Sequence, residues 1–223
     1  MIFKNNEIEE EIKVGGSWGN INPFRLKTVL KFSGKSILDI GCAKGLYIKD
    51  LCERGYDAYG IDVLDYQEWK GKYQDRFKQG DITDIPFGNS SFETLLAFEV
   101  LEHISDINLG VKEMHRVAKK NVIISVPDCS FKSIFKDSRL VYSHWIDRSH
   151  VQCFTKESIK DLFEHNGFKI EYMSLINPIY PEILFLDSLR INIGVRTLKK
   201  IFLLNPLRKY RYMTILVVAR VVR

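Results

Sequence analysis

SILDIGCAKG, residues 36–45, joins a short apolar run to a glycine-rich turn, and a helical pattern begins directly after it. A strand, turn and helix of this kind allow a nucleotide-like ligand to lie against the backbone at the carboxyl end of the strand. Gly41 permits a tight turn and close approach of a ligand, and Gly45 permits close packing where the helix starts. The stretch therefore predicts an α/β fold with a nucleotide site.

Alternating strand and helix patterns surround this stretch. Six further apolar segments predict strands, at residues 57–62, 76–79, 92–98, 121–126, 168–176 and 214–222. Helices are predicted after Asn22-Pro23, from 46 to 54, after Asp106 and after Thr155. This alternation favours a parallel sheet that is covered by helices on both faces.

Acidic residues lie at the ends of three successive predicted strands. Asp62 follows the turn by about 20 residues, the distance at which an acid binds the ribose hydroxyls of a nucleotide. Asp81 follows the third strand and could accept a hydrogen bond from the exocyclic amine of adenine. Each acid alone could be a helix cap. Together with Asp39 they predict a nucleotide site.

Two other nucleotide motifs do not fit. Gly34-Lys35-Ser36 lacks the upstream glycine of a Walker loop, because position 29 is Val29, and it precedes a strand instead of following one. A dinucleotide fingerprint, G-x-G-x-x-G, would need glycine where the chain has Ala43 and Leu46.

The motifs resemble those of the class I S-adenosylmethionine-dependent methyltransferases. ILDIGCAKG is similar to their first motif, GID at 60–62 to the second, and GDITDIPFGNSSFETLLAFEVLEHI at 80–104 to the third and fourth. The resemblance covers residues 35–175. It implies a Rossmann-like three-layer α/β sandwich, whose mostly parallel seven-stranded sheet has an antiparallel last strand, in a single methyltransferase domain over residues 1–223.

The resemblance also implies roles for individual residues. Asp39 and Gly41 would lie near the amino acid part of S-adenosylmethionine, Asp62 on its ribose, and Asp81 with Ile82 at its adenine. Glu99 would lie near the cofactor or the reacting groups. The candidate cofactor-binding residues are Asp39, Gly41, Cys42, Ala43, Gly45, Asp62, Val63, Asp81, Ile82 and Glu99.

The segment EVLEH at 99–103 offers a second type of chemistry. In the similar small-RNA 2′-O-methyltransferases and ubiquinone-type O-methyltransferases, carboxylates and histidines near these positions bind a divalent ion. The possible ligands here are Glu99, Glu102, His103 and His150, and a carboxylate-rich site suits Mg²⁺ or Mn²⁺ more than Zn²⁺. The simpler interpretation is that Glu99 only orients the cofactor. Without metal, His103 or His150 is the candidate catalytic base.

Three segments lie outside the motifs. Residues 1–33 are expected to form an N-terminal cap, 127–154 an active-site loop, and 177–212 an apolar and basic insertion. The insertion could cover the acceptor, dock on a membrane or a partner, or pack on the sheet as an extra helix. Loop residues that could line the acceptor pocket are His144, Trp145, Asp147 and Arg148.

Positive charge is concentrated at the end of the chain. Residues 189–223 contain nine Lys/Arg and no Asp/Glu, although the net charge of the 223 residues is only +5. A basic end suits a phosphate-bearing substrate, nucleic acid or an anionic membrane surface, or it is a solvated helix face.

The cysteine pattern and the apolar runs suggest a cellular location. The four cysteines have neither C-x-x-C nor zinc spacing, so free thiols in a reducing compartment are expected. No apolar run approaches the ~20 residues that span a bilayer, and the N-terminus has no signal-peptide pattern. A soluble cytoplasmic protein is therefore expected, with peripheral membrane contact left open.

The sequence thus predicts an S-adenosylmethionine-dependent methyltransferase. We expect direct in-line transfer to an oxygen of a small molecule or glycan intermediate, driven mainly by alignment and electrostatics. The alternatives are methylation of RNA at a 2′-oxygen or a base, transfer assisted by Mg²⁺, and a non-catalytic module that keeps the cofactor pocket. The intact residues Asp39, Gly41, Asp62 and Asp81 disfavour the last of these.

Overall fold

The computed structural model of the chain describes residues 20–130, 147–179 and 211–223. The helices in these ranges are α1 (Pro23–Phe32), α2 (Leu46–Glu53), α3 (Ile107–Val117) and α4 (Lys156–His165). The strands are β1 (Ser36–Ile40), β2 (Asp57–Asp62), β3 (Phe77–Gln79), β4 (Phe92–Phe98), β5 (Ala118–Pro127), β6 (Phe168–Ile179) and β7 (Arg211–Val221). Single 3-10 turns lie at Gln67–Trp69, Gln74–Arg76 and Leu101–His103.

The strands form one seven-stranded sheet in the order β3-β2-β1-β4-β5-β7-β6. Strands β1 to β5 pair with one another in parallel, whereas β7 is antiparallel to both of its neighbours. The predicted fold class, a mostly parallel seven-stranded sheet with an antiparallel last strand, is confirmed. Because β1 lies between β2 and β4, the turn after β1 lies where the strand order reverses, which is where α/β sheets bind ligands.

Two hydrophobic cores, one on each face of the sheet, make the three layers. In β1, Ile37 faces the core that contains residues of α1 and α2, whereas Leu38 and Ile40 face the core of α3 and α4. Alternate strand residues point to opposite faces, so a strand covered on both sides must be apolar at nearly every position. Asp39 and Asp62 are therefore exceptions that need an explanation, because both are buried although their side chains are ionisable.

The predicted helix starts are confirmed. Asn22 caps α1 by accepting hydrogen bonds from the backbone of Phe24 and Arg25, at 3.0 and 3.2 Å. Asp106 caps α3, and Thr155 forms a reciprocal capping box with Ser158 at the start of α4. Such caps satisfy backbone N–H groups that have no partner inside the helix.

The strand ends differ from the sequence prediction. β6 and β7 extend into the predicted 177–212 insertion, where Ile179 pairs with Arg211. Backbone pairing continues past the buried part of a strand, so the apolar pattern alone underestimates its length. Most of the insertion, most of the predicted N-terminal cap and residues 131–146 of the predicted loop lie outside the described residues. None of the described helices has the length and hydrophobicity needed to cross a bilayer.

The Glu93 carboxylate joins the starts of three strands. It accepts hydrogen bonds from the backbone N–H of Lys35 and, at 3.4 Å, of Ser36, and it forms an ion pair with Lys120. Bonding to Lys120 and then to the Lys35 N–H lowers the pKa of Glu93 from 4.5 to about 2. The ionised form of Glu93 therefore links the first residues of β1, β4 and β5, at the end of the sheet opposite the turn after β1.

Glu93→Gln should lower the free energy of unfolding at pH 7 by about 1 kcal/mol, the usual range for a charge-assisted bond near the surface. Because the folded pKa lies below the unfolded value, the contribution of Glu93 is complete above pH 4.5 and is lost as the pH falls through about 2. Urea unfolding across this range, with the exposed Glu171→Gln as control, tests this. A difference between wild type and Glu93→Gln that stays constant with pH would contradict it.

Candidate active site

The turn after β1 is built from three residues with left-handed backbone geometry. Gly41, Ala43 and Gly45 have φ values of 70°, 44° and 73°. A Cβ atom at Gly41 would lie 2.4 Å from the side chain of Val100, and one at Gly45 would lie 2.3 Å from the ring of Phe77. Glycine at 41 and 45 is thus required by both backbone geometry and neighbouring side chains, whereas Ala43 adopts this geometry with a side chain.

Asp39 lies in β1, two residues before Gly41, and is 3% exposed. Burial raises its pKa from 3.8 to about 8, the carboxylate of Asp62 adds to the rise, and the charge of Arg25 opposes it. A buried acid of this kind would return to its ionised form if a cationic group were placed beside it. The environment of Asp39 therefore suits the ammonium of an amino acid ligand.

Asp62 connects the end of β2 to the turn. Its Oδ2 accepts a hydrogen bond from the Ala43 N–H at 2.9 Å, and its Oδ1 accepts one from the Leu64 N–H at 3.0 Å. Each carboxylate oxygen can accept a second hydrogen bond, so both remain able to bind a hydroxyl. The side chain of Val63, next along the chain, is 55% exposed and offers an apolar surface to a ligand.

The third predicted acid has a local partner. One oxygen of Asp81 accepts hydrogen bonds from the N–H and the hydroxyl of Thr83, both at 2.7 Å. The side chain of Ile82 is buried in the core with α3, so Ile82 could contact a ligand only through its backbone. The Cys42 thiol is also buried, and burial followed by the charges of Asp39 and Asp62 raises its pKa far above the usual range.

Glu99 follows β4 with a φ of 56° and points its carboxylate toward α1. Its Oε1 accepts a hydrogen bond from the Ser125 hydroxyl at 2.9 Å and forms an ion pair with the guanidinium of Arg25. The Arg25 guanidinium also lies over the ring of Phe98, 5.3 Å from its centre. Glu99 is therefore fixed by contacts from two other elements.

Arg25 is a site residue that the sequence analysis missed. Its charge lowers the pKa of both Asp39 and Glu102, and its Nε is buried with no hydrogen-bond partner in the part of the chain that the structure describes. One signal was available. Arg25 lies in the first turn of α1, where the helix dipole disfavours a cation. A cation in that place indicates a use other than helix stability.

A second group of side chains assembles beyond Glu99. The potential ligand atoms of Glu102, His103 and His150 all lie within 4.8 Å of one another, and the two imidazole rings are 4.7 Å apart. Glu102 is 1% exposed, and among the described residues neither of its carboxylate oxygens has a hydrogen-bond partner. Burial, and next the charge of Glu99, raises the pKa of Glu102 to about 8. Three of the four predicted metal ligands thus meet, and the fourth, Glu99, is paired with Arg25 instead.

Hydrogen bonds bring His150 to this group. The N–H groups of Val151 and Gln152 both donate to the Glu102 carbonyl, at 2.8 and 3.0 Å. The imidazole of His103 lies 3.2 Å from the Ser149 carbonyl. Of the predicted loop residues, Asp147 lies 3.8 Å from the His150 ring and Arg148 is exposed, whereas His144 and Trp145 lie outside the described residues.

The cysteine prediction was wrong for two of the four residues. Cys129 and Cys153 form a disulfide across the base of the loop, with their Cα atoms 5.8 Å apart, whereas Cys42 and Cys52 are free. The Cys129 N–H also donates to the Phe154 carbonyl at 2.8 Å. The expectation of a reducing compartment rested on free thiols and loses that support.

A separate open cavity of about 330 Å³ lies beside the turn. None of the predicted cofactor residues lines it. Its lining residues are Asp65, Tyr66, Trp69, Lys70, Gln74, Phe77, Lys78 and Gln79.

The sequence was compared with family models and with curated proteins, and both comparisons found methyltransferases. A family model described as a methyltransferase domain matches residues 20–172. A ubiquinone biosynthesis O-methyltransferase of Pelagibacter ubique is 26% identical over 151 residues, covering 54% of this chain and 62% of that protein. A sterol 24-C-methyltransferase of Gibberella zeae is 26% identical over 117 residues, covering 48% of this chain and 31% of that protein. The chain thus spans less than two thirds of the length of these curated relatives.

The fold is also similar to solved structures. The crystal structure of an S-adenosylmethionine-dependent methyltransferase from Archaeoglobus fulgidus aligns with a TM-score of 0.65, covering 97% of this chain and all of that one. The two sequences are 16% identical, so this likeness concerns the fold.

The disulfide predicts the thiol count. Protein purified without reductant and denatured in guanidinium should show two reactive thiols, those of Cys42 and Cys52, and four after reduction. In Cys129→Ser, the released Cys153 should bring the unreduced count to three. Four reactive thiols in the unreduced wild-type protein would contradict the pairing.

Proposed function

This chain belongs to the methyltransferase domain family, and from its site we propose that it transfers the methyl group of S-adenosylmethionine to an oxygen of a small molecule. The observation that carries the proposal is the pair of buried acids, Asp39 and Asp62, at the ends of adjacent strands around a left-handed turn. Burying a charged group that has no partner costs free energy, and a ligand with a cationic group and hydroxyls would supply partners for both acids.

The amino acid part of S-adenosylmethionine, the proposed methyl donor, suits the charges at one end of the turn. Its ammonium would neutralise the ionised form of Asp39, whose pKa burial raises to about 8. Its carboxylate requires a cation, and Arg25, with its unpartnered Nε, faces the same acids. The ribose hydroxyls would bind the free acceptor positions of Asp62, and the adenine would lie by Val63 and Asp81.

S-adenosylmethionine supplies a methyl group that its sulfonium already activates. The protein therefore has to align the acceptor oxygen, exclude water and remove one proton. His103 and His150 are placed for the last task, because neutral imidazole is an effective base near neutral pH. Their rings lie 4.7 Å apart beside Glu102, and the charge of Glu99, the ion-pair partner of Arg25, acts on Glu102.

The acceptor class is proposed from the relatives. The O-methyltransferase name of the Pelagibacter protein supports an oxygen on a small molecule, whereas the sterol enzyme's name specifies carbon. These names give no support to a glycan or RNA acceptor. A screen of candidate acceptors with isotope-labelled S-adenosylmethionine would show whether either is methylated. We further propose one domain, in which residues 127–154 and 177–212 select the acceptor.

The orphaned carboxylate of Glu102 favours a second proposal, metal assistance. Glu102, His103 and His150 would hold the ion, and a divalent ion at such a site lowers the pKa of an acceptor hydroxyl. Two imidazoles and one carboxylate suit a first-row transition metal such as Mn²⁺ better than the Mg²⁺ expected from the sequence, because Glu99 is engaged by Arg25.

The donor proposal is tested by calorimetry with S-adenosylhomocysteine, which shares every part of the donor except the methyl group. Wild type should bind it, and Asp62→Ala should bind about thirtyfold more weakly, because two charge-assisted hydrogen bonds are lost. Asp65→Ala removes an exposed acid three residues away and should bind like wild type. Absence of binding to wild type, or equal binding to Asp62→Ala, would overturn the proposal.

The metal proposal is tested by Mn²⁺ titration followed by electron paramagnetic resonance. Glu102→Gln should weaken Mn²⁺ binding by at least about tenfold, because it replaces a ligand. It should leave the metal-free protein no less stable, because it removes a buried acid that has no hydrogen-bond partner within residues 20–130, 147–179 and 211–223. Glu164→Gln, an exposed change on α4, is the control. Unchanged Mn²⁺ binding in Glu102→Gln would exclude this site.

A further inference from the structure

The indole of Trp69 is bonded to the glycine-rich turn. Trp69 lies in the connection between β2 and β3, and its Nε1–H donates to the Ala43 carbonyl at 2.7 Å. The Ala43 N–H donates to Asp62 at 2.9 Å. Both backbone polar groups of Ala43 are therefore held by side chains from outside the turn.

These two bonds hold a strained residue. The φ of Ala43 is 44°, in the left-handed region that residues with a side chain avoid. Without its partners Ala43 would relax toward right-handed geometry. Such a rotation would move its N–H away from Asp62 and remove one of the two backbone bonds that orient that carboxylate.

The Trp69 ring is itself fixed. It stacks on Phe77 with ring centres 5.3 Å apart and planes 9° apart, and Phe77 contacts the turn at Gly45. The preceding residue, Glu68, forms an ion pair with Lys44 at 2.9 Å. Trp69 and Glu68 of this connection, together with Phe77 of β3, thus contact three successive residues of the turn, Ala43, Lys44 and Gly45.

We propose that Trp69 is a positioning residue for the methyl donor. Its indole N–H fixes Ala43, and through Ala43 it orients Asp62 before the donor binds. This rests on the proposed donor site. A site that is already ordered loses less conformational entropy on binding, so the indole bond contributes to donor affinity without contacting the donor.

The competing explanation is that Trp69 only fills the core. Trp69→Phe separates the two explanations, because a phenyl ring can still stack on Phe77 but cannot donate a hydrogen bond to Ala43. Tyr66→Phe is the matched control. The centre of the Tyr66 ring lies 5.8 Å from that of Trp69. No hydrogen bond joins the Tyr66 hydroxyl to the described turn residues 41–45.

Calorimetry with S-adenosylhomocysteine should give about tenfold weaker binding to Trp69→Phe, as expected for one lost hydrogen bond, and wild-type binding to Tyr66→Phe. Amide hydrogen exchange of residues 41–45 in the ligand-free protein should be faster in Trp69→Phe only. Equal affinity and equal exchange would overturn the proposal. If wild type does not bind the ligand, the donor site fails first, and this inference fails with it.

A measurement on unmutated Trp69 covers the case in which Trp69→Phe does not fold. In protein with ¹⁵N-labelled tryptophan, the Trp69 indole signal is assigned by Trp18→Phe and Trp145→Phe. Its Nε1 proton should exchange slowly with water and should shift when S-adenosylhomocysteine is added. Exchange at the rate of a free indole, or an unchanged signal on saturation, would overturn the proposal.

Discussion

The backbone of Ala43 is held in left-handed geometry between the carboxylate of Asp62 and the indole of Trp69, and the proposed site depends on this arrangement. The bond to Asp62 joins the turn after β1 to the end of β2, so two adjacent strand ends act as one unit. Gly41 and Gly45 flank Ala43 and allow Val100 and Phe77 to pack directly against the backbone. A short polar motif is thereby given a fixed shape by residues far from it in the sequence.

Charge determines what such a fixed turn can bind. Asp39 and Asp62 lie at strand ends near the turn, Glu99 and Glu102 lie beyond them, and the charge of Arg25 reaches both groups of acids. Burial raises the pKa of Asp39 and Glu102 to about 8, so both acids gain from a cationic partner. The amino acid part of the donor and a divalent ion are such partners. The proposed donor site and the separately proposed metal site therefore arise from the same excess of buried acid.

Local sequence patterns predicted the features that depend on local physics. The apolar strands, the caps at Asn22, Asp106 and Thr155, and the acids at strand ends all follow from periodicity or short motifs. The family resemblance implied seven strands, mostly parallel, with an antiparallel last strand, and the structure confirms this. The meeting of Glu102, His103 and His150 was also expected as a set, although Glu99 was grouped with them.

Contacts between distant segments were not predictable in this way. Arg25 pairs with a residue 74 positions away, and Trp69 bonds to a carbonyl 26 positions away. The Cys129–Cys153 disulfide spans 24 positions with no recognisable spacing, and the sequence could not show that Ile82 turns into the core. In each case the partner is determined by how the strands are ordered in the sheet, which no local pattern contains.

A crystal structure of the protein grown with S-adenosylhomocysteine tests the central claim most directly. The account predicts ligand density along the turn, with the amino acid end between Asp39 and Arg25 and the ribose hydroxyls on Asp62. Density in the neighbouring cavity beside Tyr66 and Lys70, or ligand density absent from the turn at saturating concentration, would contradict it.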